Sequence, residues 1–235
     1  MTEEKEPKKR TTSVFREYFE LIAETAVFVF FVMTFVVQAF QIPTGSMEPT
    51  LLVGDFLLVN KLVYANTLSP IEEKILPRRN FRRQDIVVFK YPDNLSQDFV
   101  KRAIGLPGEK LEIKNKQVYI NDKPIEEKYK VHIYNEIIPK NDTYNYSDRF
   151  RDNYGPVVVP PEHLFVMGDN RDNSMDSRFW GFVPFSNIKG RPWLIYFSYR
   201  AEHDAYQKTS LSDRLKKLVS FLPKARWGRM LKFIR

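Results

Sequence analysis

Residues 21–40 read LIAETAVFVFFVMTFVVQAF, and no other stretch of the chain narrows its possible folds as much. Between Ala26 and Val37 only Thr34 interrupts the apolar run. About 20 such residues in a helix span the ~30 Å hydrocarbon layer of a membrane. Phenylalanine and valine fall all round a helix of this sequence, which does not suit a helix with one face in a protein core. Glu24, near one end, is placed to reach the headgroups. Lys5, Lys8, Lys9, Arg10 and Arg16 precede the run, whereas the first basic residue after it is Lys61, beyond Glu48 and Asp55. This bias predicts a cytoplasmic segment 1–20, a transmembrane anchor 21–40, and everything later on the far side of the membrane. The competing reading is a cleavable secretory signal, with Val37-Gln38-Ala39 as its cleavage site. The run is long for such a signal, and the residues that follow it carry chemistry.

The net charge of +8 first points to nucleic acid, but its location does not. Residues 208–235 hold nine basic side chains against Asp213 alone, which equals the whole excess and leaves residues 1–207 neutral. A neutral body with a basic tail fits an anionic surface rather than a nucleic-acid groove. In the tail, Leu211, Leu215, Leu218, Val219 and Leu222 recur at helical spacing, and Pro223 should end that helix. Trp227, Met230, Leu231, Phe233 and Ile234 continue the amphipathic pattern. The tail 208–235 is thus expected to be a surface helix lying on lipid, a helix packed on the body, or a partly disordered end. There is no cysteine, and the three histidines, His132, His163 and His203, show no ligand spacing, so neither a metal nor another cofactor is expected.

Between anchor and tail, the pattern is of short strands. Phe56–Asn60, Asp85–Tyr91, Phe99–Ile104, Lys110–Lys114, Gln117–Ile120, Val157–Val159, Leu164–Met167 and Trp193–Tyr199 are rich in β-branched and aromatic residues. Asn115-Lys116 should close a hairpin, and Asn121-Asp122-Lys123-Pro124 reads as a turn. Residues 41–207 are therefore expected to form a mostly β domain, with 126–155 as an insertion or long loop.

Three motifs carry the chemistry. Directly after the anchor comes Ile42-Pro43-Thr44-Gly45-Ser46-Met47-Glu48-Pro49-Thr50-Leu51, where Gly45 and Pro49 constrain a turn that can expose the Ser46 hydroxyl. The second is Phe99-Val100-Lys101-Arg102-Ala103-Ile104-Gly105, with Lys101 following two apolar residues on a strand. As a surface residue, Lys101 would merely extend its ammonium into water. Desolvated, it would be neutral near pH 7–8 and could act as a base, at a cost of about 3–4 kcal/mol. A serine–lysine pair needs no histidine. The third is Gly168-Asp169-Asn170-Arg171-Asp172-Asn173-Ser174-Met175-Asp176-Ser177-Arg178. Read as a calcium loop, it places Arg171 at the third position, where a ligand is needed. Its hydroxyls, carboxylates and arginines fit an ordered polar shell.

Together, in this order, these runs resemble the type I signal peptidases over residues 42–62, 84–113 and 155–198, supported by VNKL after Gly54-Asp55 and DIVVFKYP at 85–92. The resemblance implies an antiparallel β fold with a barrel-like core. It implies Ser46 as nucleophile and Lys101 as general base, and Thr44, where many members have serine, joining the Ser46 N–H in an oxyanion hole. Ser174 matches a hydroxyl that hydrogen-bonds the lysine. Asp176 and Arg178 match a supporting ion pair, and Asp169 is matched with Arg102. Ile42, Met47, Leu51, Phe99 and Val100 match positions lining shallow apolar pockets for small side chains. The implied activity is removal of signal peptides from preproteins after Ala-x-Ala. It would occur at the bacterial cytoplasmic membrane, with the lipid bilayer and the secretion machinery as partners and no nucleic acid.

Overall fold

The computed structural model describes residues 14–64, 79–139, 150–200 and 223–234. Helix α1, Val14–Phe31, passes into a π-helical turn at Val32–Val36. The two make one 23-residue helical segment, Val14–Val36, whose most apolar 18-residue stretch has a mean hydropathy of 2.0, and no residue of it is buried against the protein. It begins before the predicted anchor and ends before it. Val37–Gln41 is instead a strand, β1, paired with β2, Asp55–Asn60, in the register Val37↔Asn60 to Gln41↔Phe56. Val36, Val37 and Phe40 suit a helix in lipid and a strand equally well; an available edge of β2 decides between them.

The remaining strands are β3 Ile86–Tyr91, β4 Asn94–Gly105, β5 Lys110–Lys114, β6 Gln117–Ile120, β7 Lys123–Pro124, β8 Tyr154–Val158, β9 His163–Met167, β10 Val183–Pro184, β11 Ile188–Ser198 and β12 Lys232–Phe233. The larger sheet runs β1-β2-β11-β3-β4-β9-β10, with β12 added to β11; the smaller is β7-β6-β5-β8. Among the described residues every strand pairing is antiparallel, as the family resemblance implies. The β5–β6 hairpin turns at Asn115-Lys116, both at positive φ (47° and 68°), and Asn121-Asp122 turns β6 into β7 in the same way (48° and 64°).

Three packed clusters support these sheets. Ile104, Leu111, Val118 and Phe165 join the small sheet to β4 and β9. Val87, Phe89, Leu164 and Val166 lie beneath β3, β4 and β9. Ile42, Met47, Leu51, Leu57, Ile86 and Ile195 form the floor under the first motif. Strand β4 passes from an exposed half, 94–98, to a fully buried half, 101–105, so Lys101 stands where the strand enters the interior.

Two expectations change here. The described end of the tail, 223–234, is not a helix. A short 3-10 turn, Trp227–Arg229, leads into β12, which pairs with β11 through Leu194↔Phe233 and Ile195↔Lys232. The amphipathic spacing was a poor guide because an open strand edge and a buried carboxylate, Asp55, were there to take the segment. The helix expected over 211–222 lies outside the described residues. Within 126–155, residues 126–139 fold back on the third motif, bridging Val131 to Asn170, and β8 begins at Tyr154.

Candidate active site

The Ser46 turn is a 3-10 helix, Gly45–Met47, buried throughout. Met47 and Ile42 anchor it in the apolar floor. Leu51 N–H closes the turn onto the Met47 carbonyl at 2.9 Å. Opposite stands β4, whose Lys101 Nζ donates to Ser46 Oγ at 2.6 Å. Both residues are buried, Ser46 with 9% and Lys101 with 4% of its surface exposed. Burial lowers the lysine pKa from 10.5 to about 8; Asp176 and Asp169 pull it back up only in part, and Arg178 pushes it further down. An amine about half neutral near pH 8 and in contact with a hydroxyl can take its proton.

The third motif encloses this pair. Asp169 accepts from Arg102 Nε at 2.7 Å and Nη2 at 2.6 Å, and from Thr50 Oγ1 at 2.5 Å. This joins the residue after Lys101 to the loop after Ser46. Asp176 accepts from Arg178 Nε at 2.8 Å and Nη2 at 2.9 Å, and from the Gly168 amide at 3.0 Å. Burial alone would raise the Asp176 carboxyl, but Arg178, the Gly168 amide and the neighbouring Ser174 hydroxyl together hold it below its ordinary value. Ser174 is buried, yet among the described residues its Oγ makes no well-formed hydrogen bond, either to Lys101 or elsewhere. Gly168 leaves no room for a side chain: a Cβ there would stand 2.5 Å from the Ser46 carbonyl oxygen and closer still to Ser174 Oγ.

Along the pair runs a cleft of about 410 Å³, with Phe40 to Met47 along one wall and Asp98 to Lys101 along the other. Thr44, Ile42, Met47, Phe99 and Val100 all line it, and Thr44 is exposed, with no side-chain cap bond to the turn it precedes. Leu51 does not; it is wholly buried in the floor beneath. Two strand edges flank the cleft: among the described residues β1 pairs only with β2, and β9 covers β4 only from Arg102 onward.

Several contributors carried no sequence signal. Glu127, fully buried, forms a two-pronged pair with Arg171, with Nη1 to Oε2 at 3.0 Å and Nη2 to Oε1. Tyr129 donates to Glu127 at 2.9 Å and lies under the Arg102 guanidinium at 3.8 Å. Asp172 accepts the amides of Ile133 and Tyr134 at 2.7 and 2.8 Å. The segment 126–139 thus braces the third motif from behind. Only the excess of charged residues around Arg171 hinted that partners were needed.

The family model described as "Signal peptidase, peptidase S26" matches residues 15–197. A protein of Pseudomonas aeruginosa named Signal peptidase I is 36% identical over 189 residues, 71% of this chain and 66% of that protein. The chain therefore spans about two thirds of that relative's length. A protein of the same name from Aquifex aeolicus is 39% identical over 215 residues, 72% of this chain and 79% of that one. A crystal structure of a signal peptidase I from Enterococcus faecalis is 31% identical and covers 48% of this chain and 97% of its own, with a TM-score of 0.35.

Proposed function

The chain belongs to the signal peptidase family, peptidase S26, and from that membership we propose that it is a membrane-anchored serine endopeptidase. It removes N-terminal signal peptides from exported preproteins, with Ser46 as nucleophile and Lys101 as general base. The observation that carries this reading is the buried Lys101 amine, its Nζ 2.6 Å from Ser46 Oγ. In water such a lysine would be protonated and useless as a base; here desolvation favours the neutral amine.

The single apolar helix and the family fit a single-pass membrane protein. With the N-terminus cytoplasmic, α1 delivers β1 and then the Ser46 turn to the outer surface of the bacterial cytoplasmic membrane. A signal sequence held in the same layer has its extended end close to Ser46, which raises its effective concentration there. That end adds as a strand between the open edges of β1 and β4. Its small side chains, as in Ala-x-Ala, point into the shallow spaces beside Ile42, Met47, Phe99 and Val100.

Lys101 takes the Ser46 proton as Oγ attacks the scissile carbonyl. The Thr44 hydroxyl and the Ser46 N–H receive the developing oxyanion. The tetrahedral species collapses as protonated Lys101 gives its proton to the leaving amine. A water activated by the same amine then releases the acyl group from Ser46. The Ser174 hydroxyl, beside Asp176, is the acceptor expected for Lys101 while that residue is charged. The secretion machinery is the expected supplier of substrate. The test is to incubate the detergent-solubilised chain and its Ser46→Ala variant with a preprotein and to locate the cut by mass. Equal processing by both would overturn the proposal.

A further inference from the structure

We propose that Arg226 and Arg229 are positioning residues for the nucleophile, acting on the Ser46 loop through Asp55 and through two backbone carbonyls; the inference rests on the reading of Ser46 given above. Asp55 begins β2 and is wholly buried. Its carboxylate accepts from the Leu52 amide at 2.9 Å and from Ser198 Oγ at 2.6 Å. Arg229 adds Nη2 at 2.6 Å and Nε at 3.2 Å, and Arg226 adds Nη2 at 3.4 Å. A carboxylate removed from water in this way needs such partners, and guanidinium forks supply several donors at fixed angles.

The same two side chains also hold the loop backbone. Arg229 Nη2 donates to the Thr50 carbonyl at 3.0 Å, and Arg226 Nη2 donates to the Val53 carbonyl at 2.5 Å. Residues 50–55 are thereby gripped near both ends. This loop starts where the Ser46 turn stops: Leu51 N–H bonds the Met47 carbonyl, and Thr50 Oγ1 bonds Asp169, the partner of Arg102. The arginines are themselves fixed. Arg226 N–H donates to the Ser198 carbonyl at 2.8 Å, β12 pairs with β11, and Ile234 packs into the cluster that holds Ile42, Met47 and Leu51. The nucleophile loop is therefore clamped on the cleft side by residues 168–170 and on the far side by residues 226–234. Without the far clamp the turn could shift while the sheets stayed intact, and misplacement by about 1 Å lowers a rate about 100-fold.

The test uses the full-length chain in detergent with a preprotein-derived peptide, comparing wild type, Arg229→Ala and Arg229→Lys at a temperature where circular dichroism shows each folded. Arg229→Ala should lower kcat about 100-fold with KM little changed. Arg229→Lys, which keeps the charge on Asp55 but not the fork, should recover part of that loss. Amide hydrogen exchange should rise in residues 47–55 in Arg229→Ala, and should do so equally in a Ser46→Ala background. That arm reads the clamp whatever Ser46 does; if wild type fails to cleave, the proposed function falls and the exchange alone judges the clamp. Wild-type kcat in Arg229→Ala, or unchanged exchange over 47–55, would overturn the inference. Should Arg229→Ala not fold, full activity in Arg229→Lys would overturn it, and a partial loss confined to kcat would support it.

Discussion

The Asn170 amide donates to the Ser46 carbonyl at 3.1 Å, so the loop carrying Asp169, Ser174 and Asp176 is fastened directly to the backbone of Ser46. The Ser46 turn and the polar shell therefore move as one piece. Lys101 reaches that piece from a separate element, the buried half of β4.

Ser46→Ala and Lys101→Ala should each reduce cleavage on the order of 10⁴-fold or more while leaving the chain folded. Lys101→Arg should fail as well, since arginine stays protonated. As the proposed base, Lys101 would work in its neutral form, and burial lowers its pKa to about 8. A plot of kcat/KM against pH should thus rise with unit slope below about pH 8 and flatten above it. Initial rates on a soluble peptide between pH 6 and 10 measure this limb; a flat profile would contradict the role of Lys101.

Lys101→Met should make the inactive protein more stable at neutral pH. The lysine pKa falls from 10.5 to about 8 on folding, so protons oppose the folded state. That opposition is fully present below pH 8, declines between pH 8 and 10.5, and is gone above. At its largest it is worth up to about 3 kcal/mol. Thermal melting of wild type and Lys101→Met at pH 7 and again near pH 11 should show a gain in the first case that shrinks in the second.

Gly168→Ala should impair the enzyme although it adds one methyl group. The new Cβ would press on the Ser46 carbonyl oxygen and on Ser174 Oγ, and backbone cannot yield as a side-chain tip can. We expect kcat to fall about 100-fold, through displacement of Ser46 relative to Lys101. Reaction with a serine-directed lactam, followed by intact mass, should slow in proportion.

Thr44→Val should lower kcat by roughly 10²–10³-fold, the usual cost of one oxyanion donor, with KM nearly unchanged. Thr44→Ser keeps the hydroxyl and should stay within a few fold of wild type. Steady-state kinetics on one peptide substrate separates the two; equal rates for valine and threonine would remove Thr44 from the oxyanion hole.

The strands of the body were legible because they are rich in β-branched and aromatic residues and are separated by turns such as Asn115-Lys116. The pairs Arg102–Asp169 and Asp176–Arg178 were legible through the family motifs. Glu127 was not, for its partner Arg171 lies 44 positions away and nothing around Glu127 marks it as buried. β1 was hidden inside an apolar run whose residues fit lipid and sheet alike. The end of the tail was misread because periodicity records which residues are apolar, not which long-range partner they meet. For Arg226 and Arg229 that partner is Asp55, more than 170 residues earlier.

The helical segment ends at Val36 and β1 starts at Val37, with Lys61 Nζ fastened to the Thr34 carbonyl at 2.6 Å across the junction. There is no slack tether at this joint. In a bilayer, the height of Ser46 above the hydrocarbon would then be set by the anchor, as on a fixed gauge. A signal sequence whose apolar core is a helical turn too long or too short would present the wrong bond at that height, however well its side chains matched the cleft.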